Sequence, residues 1–495
     1  MSIALSQSSS FSFRELLGMN LTILFVCAFA LRALFFYSYG QHEQRYWQAD
    51  SMDYHVCAVG IAHGTGMHRV DDHKPIFWRT PGYPYFISLF YKWYGLFSPA
   101  FDANMPAQKA VVWAQIAFAS FIPLLIFFLA FLITGSLSLA QIAGWIFAFH
   151  PGFVFAPSYL LTEAIALLFF FGFLSCLFSI ALPTNKHLQE SSALSRIIVG
   201  AILLGLYTWM RPNGEFVSIL GCIILLLNSV SWPKKIMRSA LFLAVFFATL
   251  SPWYVRNHNL TGRWFFCPMS GAYLCAFSVP KLIRRAANQP LDLCLKYMFV
   301  QAQNETASQE EIYRAIKSPY VVARELFCMQ LALPWIQQFP KYFLLDWMTE
   351  VIKSTFDLYS SQLVSLAKNT FKWDQIEEVL SQKIAACLYA ESIPWWMRIT
   401  AWLEFFYAIL LWIGFLAGFW LFFIRNAYAF LKKRSYDNHM LMVWLLSGIL
   451  IGGLLFMTGG FGYARLRMPA EPLLVILSLT FWLWIFGKKQ EYLEV

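Results

Sequence analysis

A few short stretches put acids and arginines into a chain that is otherwise strongly apolar. Asp50 and Asp53 lie in Ala49-Asp50-Ser51-Met52-Asp53-Tyr54, and Arg79 opens Arg79-Thr80-Pro81-Gly82-Tyr83-Pro84. Glu163 closes Pro157-Ser158-Tyr159-Leu160-Leu161-Thr162-Glu163, and His150 precedes Pro151-Gly152. Further arginines stand beside prolines or aromatics, in Arg211-Pro212-Asn213, Pro252-Trp253-Tyr254-Val255-Arg256-Asn257 and Arg465-Leu466-Arg467-Met468-Pro469. A carboxylate beside a hydroxyl can take its proton as general base. A guanidinium held by a Pro-Gly turn presents a fixed fork of donors, which suits a phosphate. The pattern therefore points to proton abstraction next to a bound anion.

Each residue also has a plainer reading. A lone Asp is usually solvated or paired with a loop arginine, and the spacing of three between Asp50 and Asp53 leaves Asp53 equally suited to capping or pairing. A Glu in the first turn of a helix is favoured by the dipole, with Thr162 placed to cap. A lone His is more often structural, and arginines near helix ends anchor at headgroups. An acid with an open face can also hold a divalent cation, and Asp50, Glu163 and His150 are the candidate ligands for Mg, Mn or Zn.

The elements that must position these residues follow from composition. The 495 residues are 59% hydrophobic, 19% aromatic and only 13% charged, and mean hydropathy is +0.55. A soluble domain carries roughly twice that charged fraction. Apolar runs of membrane length recur, which predicts an all-α polytopic membrane protein. The net charge of +10 does not indicate nucleic acid, because the basic residues form short clusters between apolar runs, as the positive-inside rule expects. The nine cysteines show no metal-ligand spacing, though Cys267 and Cys275 fall in one loop and could pair.

Ten spans are expected: Leu16 to Phe36, Ala110 to Ile133, Leu139 to Phe155, Leu160 to Leu182, Ser192 to Met210, Phe216 to Val230, Ala240 to Tyr254, Ile399 to Ile424, Met440 to Met457 and Pro472 to Phe486. The first run is too long for a cleaved signal and reads as an anchor. Lys186, Arg196, Lys234, Lys235, Arg238, Arg425, Lys432 to Arg434 and Lys488-Lys489 then lie on the side of the N-terminus, which predicts both termini inside. The chain divides into a catalytic membrane module over 1–254, an external region over 255–398 and C-terminal spans over 399–495. Two long segments, 37–109 and 255–398, stay outside. Their half-apolar stretches, Tyr83 to Phe97 and Leu333 to Leu345, read as interfacial helices. With this topology every unusual polar motif falls on the outer side, where charge at membrane depth usually serves a cavity.

In order and topology these motifs resemble the GT-C superfamily of polyprenyl-phosphate-sugar-dependent glycosyltransferases. More narrowly they resemble the bacterial branch related to protein O-mannosyltransferases and aminoarabinose lipid A transferases. The resemblance rests on Asp50-Ser51 with Tyr54, Ala58 and Gly64, the Arg79 to Pro84 stretch, Thr162-Glu163, Arg211-Pro212, Pro252-Trp253 with Arg256-Asn257, and Arg465 with Arg467-Met468-Pro469. It covers about residues 15–487 apart from the second loop.

It implies a GT-C-like bundle of about ten helices in a bacterial inner membrane. It further implies inverting transfer from an isoprenoid phosphate sugar on the outer face to lipid A, a protein or a glycan. Asp50, or else Asp53, would be the base. Arg79, Tyr83, His150, Glu163, Arg211, Arg256, Arg465 and Arg467 would bind the donor. Relatives carry Asp-Glu or Gly-Asp where this chain has Ala49-Asp50-Ser51, and metal dependence varies across the superfamily. A transporter or flippase of a lipid-linked or anionic solute is the competing reading; charge inside spans near mid-membrane would favour it.

Overall fold

The computed structural model describes residues 8–41, 45–48, 50–68, 75–95, 106–182, 193–227, 230–268, 271, 274, 278–287, 321–361, 380–389, 393–425, 428, 431–432, 438–458 and 463–486. Helices account for nearly all of them. In chain order they are α1 (Ser8–Phe35), α2 (Ser51–Ala62), α3 (Gly82–Tyr94), α4 (Pro106–Ala119), α5 (Ile122–Thr134), α6 (Leu137–Phe149), α7 (Pro151–Phe155), α8 (Glu163–Ala181) and α9 (Ala193–Met210). Then follow α10 (Gly214–Leu227), α11 (Trp232–Thr261), α12 (Val279–Ala287), α13 (Val321–Gln338), α14 (Pro340–Phe356), α15 (Leu380–Tyr389), α16 (Trp395–Gly418), α17 (Asn438–Phe456) and α18 (Glu471–Phe486).

Among the described residues six helices are long and apolar enough to cross a membrane: Gly18–Gly40, Pro106–Thr134, Glu163–Ala181, Ala193–Met210, Trp232–Thr261 and Trp395–Ile424. Apolar stretches of this length bury their backbone polar groups only as helices, which is what lipid demands. Three shorter apolar helices, Gly214–Leu227, Met442–Phe456 and Glu471–Phe486, complete the bundle with the bent pair of α6 and α7. The chain is a multi-pass membrane protein, and each apolar run read from the sequence coincides with one of these helices.

Their details differ from the sequence reading in three places. The run from Leu139 to Phe155 is broken at His150–Pro151 and bends by 57°, because Pro151 has no N–H for the preceding turn. The seventh run extends to Trp232–Thr261 and passes through Pro252; proline interrupts one bond of a long helix without ending it. The stretch Leu333 to Leu345 is split between α13 and α14 at Phe339–Pro340, where proline again starts the second helix. Cys275 lies outside the described residues, and with it the pairing to Cys267.

Helix α8 packs along α9, α9 along α11, α5 against α6, and α16 against α18, while α2 packs on α3 and α3 on α4. Between α5 and α6, Gly135 adopts φ +67°, a conformation other residues rarely take, and Ser136 then accepts the Leu139 N–H at 3.3 Å to cap α6. Gly82 has a different role. A Cβ there would lie 2.7 Å from the Trp209 carbonyl oxygen and 2.8 Å from its carbon, so only glycine lets α3 sit against the end of α9. Gly82→Ala is expected to destabilise the protein by about 1–3 kcal/mol through forced backbone displacement. Thermal unfolding in detergent tests this, and an unchanged midpoint would show that the contact yields freely.

Candidate functional site

The site is built from helix ends. Asp50 stands one residue before α2, and Asp53 lies in its first turn. Ser51 fixes this entry: its hydroxyl donates to the Leu160 carbonyl at 3.0 Å and accepts the Gln48 N–H at 2.9 Å. The Leu160 N–H donates to the Tyr46 carbonyl at 2.8 Å. The segment before α2 is thereby stitched to the segment before α8, which carries Glu163.

Arg79 is held from the other side. The Thr80 hydroxyl donates to the Met210 carbonyl at 2.7 Å, so the Arg79 turn and the residue before Arg211 move as one. The Arg79 guanidinium reaches both aspartates. Nη2 is 2.8 Å from Asp50 Oδ1 and 2.7 Å from Asp53 Oδ2, and Nε is 3.0 Å from Asp53 Oδ2. Its carbon sits 5.0 Å from the centre of the Tyr54 ring, a cation–π distance. Burial pushes the Tyr54 phenol up to about 12, so it stays neutral beneath the arginine.

Two more arginines close the ring. Arg465 Nη2 is 3.5 Å from Asp50 Oδ2 and its Nη1 is 3.8 Å from Glu163 Oε1. Arg211 Nη2 is 3.5 Å from the same Glu163 oxygen. Asp50, Asp53 and Glu163 therefore face Arg79, Arg211 and Arg465 at one end of the bundle. The Glu163 side chain is 4% exposed while those of Asp50 and Asp53 are 36% and 41%, so the ring opens to solvent on the aspartate side. Among the described residues, the buried Arg211 Nη1 has no hydrogen-bond partner. Burial pushes the Asp50 carboxyl up, but Arg79 and Arg465 outweigh it and hold it below the usual carboxylate value.

Other residues singled out in the sequence brace this ring. Tyr83 is buried; its hydroxyl donates to Gln115, whose Nε2 donates to the carbonyls of Pro157 and Tyr159 at 3.1 and 2.8 Å. The Tyr83 ring meets Tyr54 edge-on at 5.0 Å. Arg256 packs 4.2 Å from the Trp253 ring and donates to the carbonyls of Ile76 and Met67 at 3.4 and 3.0 Å. It thereby ties Met67 and Ile76 to α11. Thr162 does not cap α8: its hydroxyl turns to Glu163 Oε2 at 3.5 Å.

His150 and Arg467 do not join this ring. His150 Nε2 is 3.2 Å from Glu471 Oε1, and Arg467 Nε is 3.4 Å from Glu471 Oε2. Arg465 and Arg467 share a 3₁₀ turn, Ala464–Leu466, with Arg467 as its C-cap. At three residues per turn, side chains two apart diverge by about 120°. One faces the aspartates and the other the bundle interior. The ligand set of Asp50, Glu163 and His150 is consequently not assembled, and among the described residues no three His, Cys, Asp or Glu side chains group as a metal site.

The sequence reading also passed over Glu471, Glu404 and Tyr359. Glu404 offered a signal, a lone acid inside an apolar 24-residue helix, where an ionisable group is costly and usually has a partner. Glu471, in the first turn of α18, had the same signature as Glu163. Tyr359 offered none.

No family model and no curated protein matches the sequence. Solved structures do. The archaeal oligosaccharyltransferase AglB from Archaeoglobus fulgidus, in complex with an inhibitory peptide and a dolichol-phosphate, superposes with a TM-score of 0.50 at 12% identity, over 96% of this chain and 52% of that one. The two share a fold. The same enzyme tethered to an acceptor peptide containing the NVT sequon gives 0.50 at 13% identity, over 96% and 50%. ArnT from Cupriavidus metallidurans, bound to undecaprenyl phosphate, gives 0.37 at 12% identity, over 94% and 78%. The chain spans about half the length of the archaeal chains it matches. Its helical bundle shares the fold of that archaeal structure, as the sequence reading expected of a polytopic helical protein.

Proposed function

We propose that this chain is a membrane glycosyltransferase. It moves a sugar from an undecaprenyl- or dolichyl-type phosphate to a hydroxyl or phosphate group of lipid A, a protein or a glycan. The observation that carries this reading is the ring of three carboxylates and three guanidiniums, with the orphan Arg211 Nη1 inside it. A buried N–H without a partner is costly, and an anion entering between Arg211 and Arg465 supplies one. The AglB fold, solved with a dolichol-phosphate, supports a lipid phosphate as that anion.

In the transfer, the bond between the anomeric carbon and the phosphate oxygen breaks, and the polyprenyl phosphate leaves with the electron pair. The acceptor oxygen attacks from the opposite face, inverting the centre; a hydroxyl acceptor passes its proton to Asp50, whereas a phosphate acceptor attacks through an oxygen that is already ionised. Fixed guanidiniums stabilise the charge growing on the leaving phosphate. Asp50 is the better candidate for base because it bridges Arg79 and Arg465, whereas Asp53 engages only Arg79 among the ion pairs described. A carboxylate so paired is a weak base. A donor phosphate competes for the same arginines, and their withdrawal raises the basicity of Asp50 once the donor is bound.

The outer face of a bacterial plasma membrane is the proposed place of reaction. Arg196 and the group Lys234, Lys235 and Arg238 start α9 and α11, at the bundle end opposite Arg211, as the positive-inside rule requires for an external site. The test is release of undecaprenyl phosphate by the purified protein from undecaprenyl-phosphate sugars in the presence of lipid A, a peptide or a glycan. Turnover with any one supports the reading. Transport of an intact lipid-linked sugar across proteoliposomes without bond cleavage would overturn it in favour of a flippase.

A further inference from the structure

Behind the ring lies a second buried polar cluster that the proposed reaction does not use. Glu471 is its hub. It is fully buried and meets His150, Arg467 and the Tyr359 hydroxyl. Arg467 then turns its Nη1 to the carbonyls of Ser354, Thr355 and Asp357, with Ser354 and Asp357 at 3.2 Å. Asp357 Oδ2 accepts the Ala464 N–H at 3.3 Å. Glu404, inside α16, accepts the N–H groups of Tyr359 and Ser360, the latter at 2.9 Å. The Tyr359 ring lies flat against Gly152 of α7, where a Cβ would come within 2.6 Å.

The Arg467 and Ala464 contacts join residues 354–357, where α14 ends, to the short turn 464–467, while Glu404 and Gly152 hold Tyr359 and Ser360 from the other side. That turn also carries Arg465, which reaches Asp50 and Glu163. A buried guanidinium held by a carboxylate and three carbonyls is costly to displace, so the turn has little freedom while Glu471 is charged.

We infer that Glu471 is a positioning residue. By holding Arg467 it docks the 354–360 segment onto the 464–467 turn and so aims Arg465 at the ring, making external-loop docking and the placement of the anion-binding arginine a single event. The catalytic part of this inference rests on the glycosyltransferase reading; the structural part does not.

The experiment measures two things on the full-length protein in detergent or nanodiscs. The first is amide hydrogen exchange in wild type, Glu471→Gln and Glu404→Gln. Loss of the Glu471 charge is expected to lower protection about tenfold or more at both 357–361 and 464–467, since it leaves a buried guanidinium uncompensated, while α8 and α9 keep theirs. Glu404→Gln should loosen 359–360 alone. Unchanged exchange at 464–467, or a uniform rise across the bundle, overturns the inference whatever the protein's activity.

The second is donor KM in a double-mutant cycle with Arg465→Ala. Glu471→Gln should raise KM about tenfold in the wild-type background and have little further effect when Arg465 is absent, because coupled residues are not additive. Additive effects would show that Glu471 acts without Arg465. If wild type turns over no polyprenyl-phosphate sugar, the functional reading fails while the exchange data still decide the docking.

Discussion

Asp50→Asn is expected to abolish sugar transfer to about a hundredth of wild type or less, a loss on the order of 3 kcal/mol in the transition state, with normal expression and an unchanged elution profile. The amide keeps the shape of the side chain and loses both its charge and its ability to take a proton. Because Asp53 remains beside Arg79, the arginine stays partnered and the fold has no new buried charge. The loss should therefore appear in kcat, with donor KM within about threefold, since an interaction made only in the transition state lowers kcat. Single-turnover release of polyprenyl phosphate measures it. Near-normal kcat would remove Asp50 from the role of base, and the same assay on Asp53→Asn would then show whether the neighbouring acid takes it.

Arg79→Ala should give the second largest effect and a different signature. It removes a cation that contacts both aspartates and stacks on Tyr54. Donor KM is expected to rise and kcat to fall, together costing about a hundredfold in kcat/KM. The pH profile should move as well. A base must be ionised to act, so the rate falls as pH drops through the pKa of Asp50. In the free wild-type enzyme that pKa is held below the usual value by Arg79 and Arg465 against the opposing effect of burial, placing the acid limb of kcat/KM below the ordinary carboxylate range of about 3.9. Removing Arg79 leaves burial less opposed, and the limb should shift to higher pH. An acid limb that stays in place, or moves down, would mean that another group titrates in the rate.

The membrane class was legible in the sequence because it depends on composition summed over long windows. An apolar run in lipid has only a helix to adopt, so the spans followed from hydropathy alone. The site was legible in part. Asp50, Arg79, Glu163, Arg211 and Arg465 announced themselves because each lies near the end of an apolar run or in the segment that joins two of them, and alternating spans return every second connection to the same side of the membrane. Arg256 and Tyr83 were placed near the site, but their present partners, backbone carbonyls and a glutamine, are ones that spacing does not reveal.

The sequence by itself determined that this chain crosses a membrane repeatedly and that its acids and arginines collect at one level. Both are one-dimensional facts about where charge interrupts apolar runs. Which charge meets which was decided by tertiary structure. Arg465 and Arg467 are two residues apart, yet the 3₁₀ turn sends one to Asp50 and the other to Glu471. The sequence reading set His150 at one level with Asp50, yet the break at Pro151 leaves it among Glu471, Tyr359 and Tyr407. Depth in the membrane follows from hydropathy, but the direction of a side chain follows from backbone rotation and packing, and about 120° of rotation separates a guanidinium in the Asp50 ring from one in the buried cluster around Glu471.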